Sequence, residues 1–394
     1  MRFLVANHLR LGAVPGDIPD QAATDHSAHS TRAAWLRVID RAVQDRVHAV
    51  FLTGEIISST NPGLEPFGPL IDGLTHLQQA DIPVVVIADG RFTPEIAQRF
   101  GFERAVQFLD DHLDWDPFIS TSRDARDGPV IHIIPASLAE STETPVPHPV
   151  TLTEIDQPQS IWILTDPLQP DALQGEHALV IEPGSVAPLS PYESGTHGVW
   201  LVDTEAFDAT LVSMAGLEYA AIAIDMTTAQ SVDDAERIIA QALIAAADET
   251  LANGNASTLV VYGTLTGATH LYPVLADLAT ELEHTLILEH AGVTVAIARI
   301  ENDATPTIDL EPLIGRPDPV GEVARLLHAL GTGDDLTESQ SQLVSAVEQK
   351  LLAVTHARVF GAIVDTPLSA DAPTLLQRQA WATLDTMVRQ RGID

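Results

Sequence analysis

The chain has 394 residues, 45% of them apolar, and a formal net charge of −35. That length accommodates two or three domains with a large core, and the absence of any apolar run of about eighteen residues excludes a membrane-spanning helix. There is no cysteine, which excludes disulfides, thiolate metal sites and thiol nucleophiles. Lys350 is the only lysine, so the chain is poorly equipped for a phosphate backbone, whose nonspecific affinity comes from Lys and Arg. A local arginine patch would be needed for DNA contact. The N-terminus begins directly with a strand pattern and shows no basic stretch followed by a signal-type apolar core, so the expected location is cytoplasmic.

Three short apolar runs open the chain: Arg2 to Ala6, Val50 to Thr53, and Pro83 to Ala88. Runs of that kind predict buried parallel strands, and ligands of open α/β folds bind at their carboxyl ends. The first ends in Asn7-His8-Leu9-Arg10, the second in Gly54-Glu55, the third in Asp89-Gly90-Arg91-Phe92. Residues 13–30 are polar and rich in turn-formers, and predict a loop. Thr31 is the expected N-cap of a helix with Trp35, Val38, Ile39 and Val43 at helical spacing. A second helix is predicted from Phe67 to Gln79 and a third opening at Pro94.

Residues 101–160 are the least patterned, with one strand at Val130–Ile134. Gly198–Asp203 and Ala209–Val212 predict a hairpin. A second unit reads as strand, helix, strand, helix, strand. Its parts are Ala220–Asp225, a helix capped by Ser231 and stopped by Gly254, Leu259–Thr264, Leu271–Leu282 and Val293–Ile300. Three amphipathic helices close the chain: Pro319–Leu330, Thr337–Val354 and Thr374–Arg391. The second of these places Leu343, Val347, Leu351 and Val354 on one face.

The N-terminal frame resembles the calcineurin-like metallophosphoesterases, and among them the SbcD-type DNA repair exonuclease subunits. The resemblance rests on Met1-Arg2-Phe3-Leu4, Leu11-Gly12, the stretch His48 to Glu55 and the stretch Ile82 to Ala88. It continues at Trp162 to Leu173 and at Pro183-Gly184-Ser185. It implies an α/β fold with a β-sandwich flanked by helices (residues 1–216), a small α/β capping domain (217–305) and a C-terminal helical segment (306–394). The family's metal-binding motifs are altered. Its Asp-x-His reads His8-Leu9-Arg10, its Gly-Asp reads Gly54-Glu55, and its Gly-Asn-His-Asp reads Asp89-Gly90-Arg91-Phe92. Its late Gly-His-x-His falls on Thr165-Asp166-Pro167-Leu168. A further family histidine has only His132 and His148 as counterparts. The first reads as packing within a strand, the second as a surface loop between prolines.

Three functions fit this altered site, made of His8, Arg10, Glu55, Asp89, Arg91 and Asp166. The preferred one is noncatalytic, because arginine stays protonated and cannot ligate a metal. In the second, His8, Glu55, Asp89 and Asp166 form a different site for Mn²⁺, Mg²⁺ or Zn²⁺, giving an active nuclease. In the third, Arg10 and Arg91 hold a phosphate or nucleotide. With the metals lost, the arginines are expected to neutralise the carboxylates in an ion-pair cluster centred on Glu55. The resemblance implies an SbcC-like SMC-type ATPase as partner, bound through the C-terminal helices, and a possible homodimer. DNA contact would be weak or indirect. There is no P-loop, no Gly-x-Gly-x-x-Gly and no Gly-x-Ser-x-Gly. His284 and His290 are six apart, which is not a helical ligand spacing, and Trp162, Trp200 and Trp381 read as core or interface residues.

Overall fold

The computed structural model describes residues 1–20, 22, 27–61, 63–87, 91–108, 130–134, 160–164, 168–175, 178–254, 256–332, 336–355 and 372–392. The chain alternates at first: β1 (Arg2–Asn7), α1 (Thr31–Asp45), β2 (Ala49–Thr53), α2 (Phe67–Gln79), β3 (Val84–Ile87), α3 (Pro94–Arg99) and β4 (Val106–Phe108). Strands follow: β5 (Val130–Ile134), β6 (Ser160–Leu164), β7 (Asp171–Gln174), β8 (Ala178–Glu182), β9 (Gly198–Asp203) and β10 (Asp208–Ser213). Helices separating successive strands let β1, β2, β3 and β4 pair in parallel, while the tight β9–β10 hairpin joins β1 antiparallel. The six-stranded sheet runs β10-β9-β1-β2-β3-β4, and a four-stranded sheet runs β5-β6-β8-β7.

Side-chain alternation along β1 and β2 decides what each face meets. Phe3, Val5 and Phe51 pack with Ile161, Ile163, Leu179 and Ile181 of the second sheet. Leu4, Ala6, Val50 and Leu52 pack with Trp35 and Val38 of α1 and Leu70 and Leu74 of α2. The layers are therefore helices, sheet, sheet. Each fully buried large apolar side chain here contributes roughly 1.5–3 kcal/mol. The N-cap of α1 is Ser30, not Thr31. Ser30 has extended backbone and its Oγ accepts from Ala33 N at 3.2 Å, while Thr31 is already helical. Residues 101–160 contribute β4 as well as the expected β5.

Next come β11 (Leu217–Asp225), α4 (Val232–Asn253), β12 (Thr258–Thr266), β13 (Ala268–Thr269), α5 (Tyr272–Thr285), β14 (Ile287–His290), β15 (Val293–Asn302) and β16 (Thr305–Pro306). They build a sheet ordered β11-β12-β15-β14 and a small β13–β16 pair. β14 was not expected. It pairs antiparallel with β15 across Ala291 and Gly292, both at positive φ, so His290 lies in a hairpin and its Nε2 meets Asp248 Oδ1 at 2.7 Å.

The C-terminal helices are α6 (Glu311–Ile314), α7 (Pro319–Thr332), α8 (Glu338–Thr355) and α9 (Ala372–Arg391). α7 and α9 bury Val320, Ala324, Leu327, Ala380 and Leu384 together, and Trp381 packs against that cluster. On α8, Val347 and Leu351 of the expected face are half-buried, but Val344 is buried in place of Leu343, which is exposed. The chain divides into two compact units. One holds residues 1–222, 240–263 and 282–299, the other 223–239, 264–281 and 300–394. Among the described residues no helix is long and apolar enough to cross a membrane.

Candidate functional site

The tips of β1, β2 and β3 lie side by side because those strands are parallel and in register. Beyond the strand ends, the two following loops stay hydrogen-bonded to each other. His8 N donates to Thr53 O at 3.0 Å, Arg10 N to Glu55 O at 2.9 Å and Leu11 N to Ile56 O at 2.9 Å. Ser58 N donates back to Leu11 O at 3.0 Å. The path needs left-handed backbone at His8 (φ 48°) and Arg10 (φ 46°), a region unfavourable to most side chains. Gly54 is at φ 61°, and a Cβ there would stand 2.6 Å from Asn7 Oδ1 and 2.8 Å from His8 Nδ1. Only glycine fits that position.

His8 Nδ1 accepts from Glu55 N at 3.2 Å, so this ring nitrogen holds the β2 tip. Glu55 Oε1 accepts from Ser59 N at 2.5 Å and closes its own loop. Arg91 donates to three carbonyls: Ser58 O at 3.0 Å, Asn61 O, and Gly63 O at 2.8 Å. Its guanidinium also lies 5.6 Å from the centre of the Phe67 ring. Arg10 turns away from Glu55 altogether. Its two terminal nitrogens grip Glu193, at 2.9 Å to Oε1 and 2.5 Å to Oε2, and one donates to Ala187 O at 2.8 Å. Arg10 therefore takes no part in the expected ion-pair cluster centred on Glu55: the carboxylate that it neutralises is Glu193. Asp89, Asp166 and His148 lie outside the described residues, and His132 lies on β5. Leu168, which the resemblance aligns with a histidine, is exposed at its side chain and its carbonyl accepts from Ser185 N at 3.0 Å.

The Arg10–Glu193 pair belongs to a buried polar group that the sequence reading did not identify. Ser185 Oγ donates to Glu193 Oε2 at 2.7 Å and lies 2.9 Å from His197 Nδ1. His197 Nε2 meets Glu193 O at 3.1 Å. Burial alone would push the Glu193 carboxyl up. The Arg10 fork outweighs it, helped by Ser185 and His197, and holds the carboxyl below its ordinary value. Burial pushes the His197 imidazole down, against the pull of the Ser185 carbonyl and Glu193. Despite its serine, histidine and carboxylate, this group is not built for acyl transfer. The Ser185 hydroxyl is 0% exposed and donates to the carboxylate instead of facing a substrate. It ties the loop after β1 to the loop after β8. The sequence held two signals for it, a buried-strand tip ending in arginine and the Pro183-Gly184-Ser185 turn. With 55 acidic residues in the chain, nothing local selects Glu193 as the partner.

The described donors do not fit a two-metal centre. Such a centre needs carboxylate and imidazole atoms converging with free lone pairs. Here a ring nitrogen of His8 and the Oε1 of Glu55 each take a backbone proton, and the guanidiniums of Arg10 and Arg91, which cannot ligate a metal, are held by backbone carbonyls. Among the described residues no group of three or more His, Asp or Glu could hold a metal ion. Two of the four residues of the alternative metal site, Asp89 and Asp166, are outside that set. Compared with known proteins, the chain matches no family model and no curated protein.

Proposed function

We propose that this chain is a noncatalytic homologue of the SbcD-type calcineurin-like metallophosphoesterases, acting as a subunit or scaffold of a DNA-processing assembly in the cytoplasm. The observation that carries the reading is the use of the strand-tip side chains. His8, Arg10, Glu55 and Arg91, at positions where the resemblance has metal-site residues, all bind the protein's own loops. The layering of helices on a sheet on a second sheet supports a calcineurin-like fold. The net charge of −35 supports weak or indirect DNA contact. The partner expected from the resemblance is an SMC-type ATPase, and a homodimer is compatible with it.

The test is elemental analysis of the purified chain together with a Mn²⁺- or Mg²⁺-dependent assay on a generic phosphodiester and on linear duplex DNA. The expected result is no stoichiometric metal pair and no turnover above buffer. Two Mn or Zn per chain, or metal-dependent cleavage lost in Glu55→Gln, would replace this reading with an active nuclease using His8, Glu55, Asp89 and Asp166.

A further inference from the structure

Three loops at the tip end of the first sheet carry the most exposed large apolar side chains among the described residues. Val14 and Leu64 are each 79% exposed and Tyr192 is 64% exposed. The loops touch one another. Asn61 Nδ2 donates to Gly12 O at 3.3 Å, Pro66 lies directly against Gly12, and Gly16 N donates to Leu189 O at 2.9 Å. Val14 therefore sits on a segment braced on one side by the Leu64 loop and on the other by the Tyr192 loop.

The same loops are tied down at further points. Arg91 binds carbonyls on both sides of the 58–63 turn, Arg10 binds Ala187 and Glu193, and the Tyr219 hydroxyl donates to Gly16 O. Apolar side chains on fixed loops lose little entropy when covered, which is the economy of a preorganised interface. Exposed carboxylates outnumber exposed cations on the neighbouring segments, where Arg32 at the start of α1 is also exposed. Asp17, Asp20 and Glu65 are exposed close by in sequence, whereas Arg10 is buried on Glu193 and the half-buried Arg91 faces carbonyls.

We propose that this face docks a protein segment whose apolar side chains are flanked by lysine or arginine. The apolar contacts supply affinity, and the acidic neighbours supply charge complementarity and orientation. The inference takes its motive from the reading of the chain as a noncatalytic subunit, and names the surface that such a subunit would use. A nucleic acid is disfavoured at the same place, since exposed carboxylates repel phosphates.

The probe is a fluorescein-labelled peptide with leucines at i, i+4 and i+7 and lysines between them. Its counterpart carries glutamate in place of lysine, and a single-stranded oligonucleotide is the third probe. Titrations use the full chain, its Val14→Ser/Leu64→Ser double variant and a Phe100→Ser control, which removes an exposed apolar side chain after α3. The expected result is saturable binding of the lysine probe, weakened at least about tenfold in the double variant and unchanged in the control. Equal binding by all three proteins overturns the proposal, and so does binding of the glutamate probe or the oligonucleotide in preference to the lysine probe. No saturable binding of the lysine probe also overturns it. The metal and cleavage assays are read separately. Cleavage by the wild type with intact peptide binding would refute the noncatalytic reading alone. A failed titration with no cleavage would refute the docking face alone.

Discussion

Two buried glutamates show opposite residue-scale behaviour. Glu193 is matched by the fork of Arg10, and its folded carboxyl is held below the ordinary value. A lowered acid pKa gives stability that is present above the unfolded value and is lost as pH falls through the folded one. Arg10→Ala leaves Glu193 buried without its cation, so it should cost about 3–5 kcal/mol in urea unfolding at pH 7. The cost should shrink at pH values where Glu193 is protonated. A loss that does not change with pH would assign the effect to packing. Glu218 is nearly as buried, and no cation among the described residues pairs with it. Burial raises its carboxyl pKa, the Thr250 hydroxyl at 3.4 Å opposes this weakly, and Glu249 adds to the rise. Between the ordinary value and the raised one, the folded chain holds a proton that the unfolded chain has released. Stability from this group therefore falls as pH rises through that window. Glu218→Gln keeps the shape and removes the penalty, so it should raise the melting temperature at pH 7.5 and leave it unchanged near pH 4. A uniform loss at both pH values would contradict the burial account.

At the scale of elements, the contact between α1 and α2 depends on one small residue. A Cβ at Gly73 of α2 would strike the Trp35 indole and stand 2.5 Å from Ile39 Cδ1 of α1. Trp35 is fully buried, and its Nε1 donates to Pro69 O at 3.0 Å, so it has nowhere to retreat. Gly73→Ala gains roughly 1 kcal/mol of helix propensity. Overpacking in a tight core costs about 1–3 kcal/mol. Because the collision is with a fixed indole, the cost should win, and thermal unfolding should show net destabilisation. A net gain would mean that the two helices part easily. α7 and α9 are joined in another way. Asp318, just before α7, accepts from Arg316 at 2.9 Å and from Arg391 near the end of α9 at 2.6 Å. These groups keep its carboxyl well below the ordinary carboxylate range. This contact should weaken only in strong acid, and Asp318→Asn should raise amide exchange in the last turn of α9 before it affects β1. Equal exchange in both would place α9 under the control of its apolar face alone.

Over the whole molecule the charge is the dominant fact. Exposed carboxylates repel one another, and screening shortens from about 10 Å at 0.1 M salt to about 3 Å at 1 M. The chain should therefore melt at a higher temperature in 1 M than in 0.05 M sodium chloride, and an unchanged melting temperature would mean that its acids are spaced widely enough to ignore one another. The elements were largely legible in the sequence, because apolar runs and helix caps are local signals. α2, α3 and the β9–β10 hairpin fall where periodicity and turn residues put them. β14 was not legible: four residues with a single exposed isoleucine carry too little pattern, and only pairing with β15 makes them a strand. The strand-tip positions of His8, Arg10 and Glu55 were legible, but their partners were not. That Arg10 would sit at a strand tip followed from β1, whereas its choice of Glu193, 183 residues away, is set by the turn after β8 bringing that carboxylate to it.

The loops after β1 and β2 have one last consequence, in time. Their backbones remain zipped from His8 to Ser58 by the same N–H to carbonyl bonds that join the strands, and Leu9, Leu11, Ile56 and Ile57 are buried beneath them. A conventional surface loop breathes in microseconds, independently of the sheet. This one can open only by unzipping a strand pair, so the amides of Arg10 and Leu11 should exchange with deuterium as slowly as those of β1 itself. The end of the sheet where an enzyme would have a gate is, in this chain, as slow to open as the core.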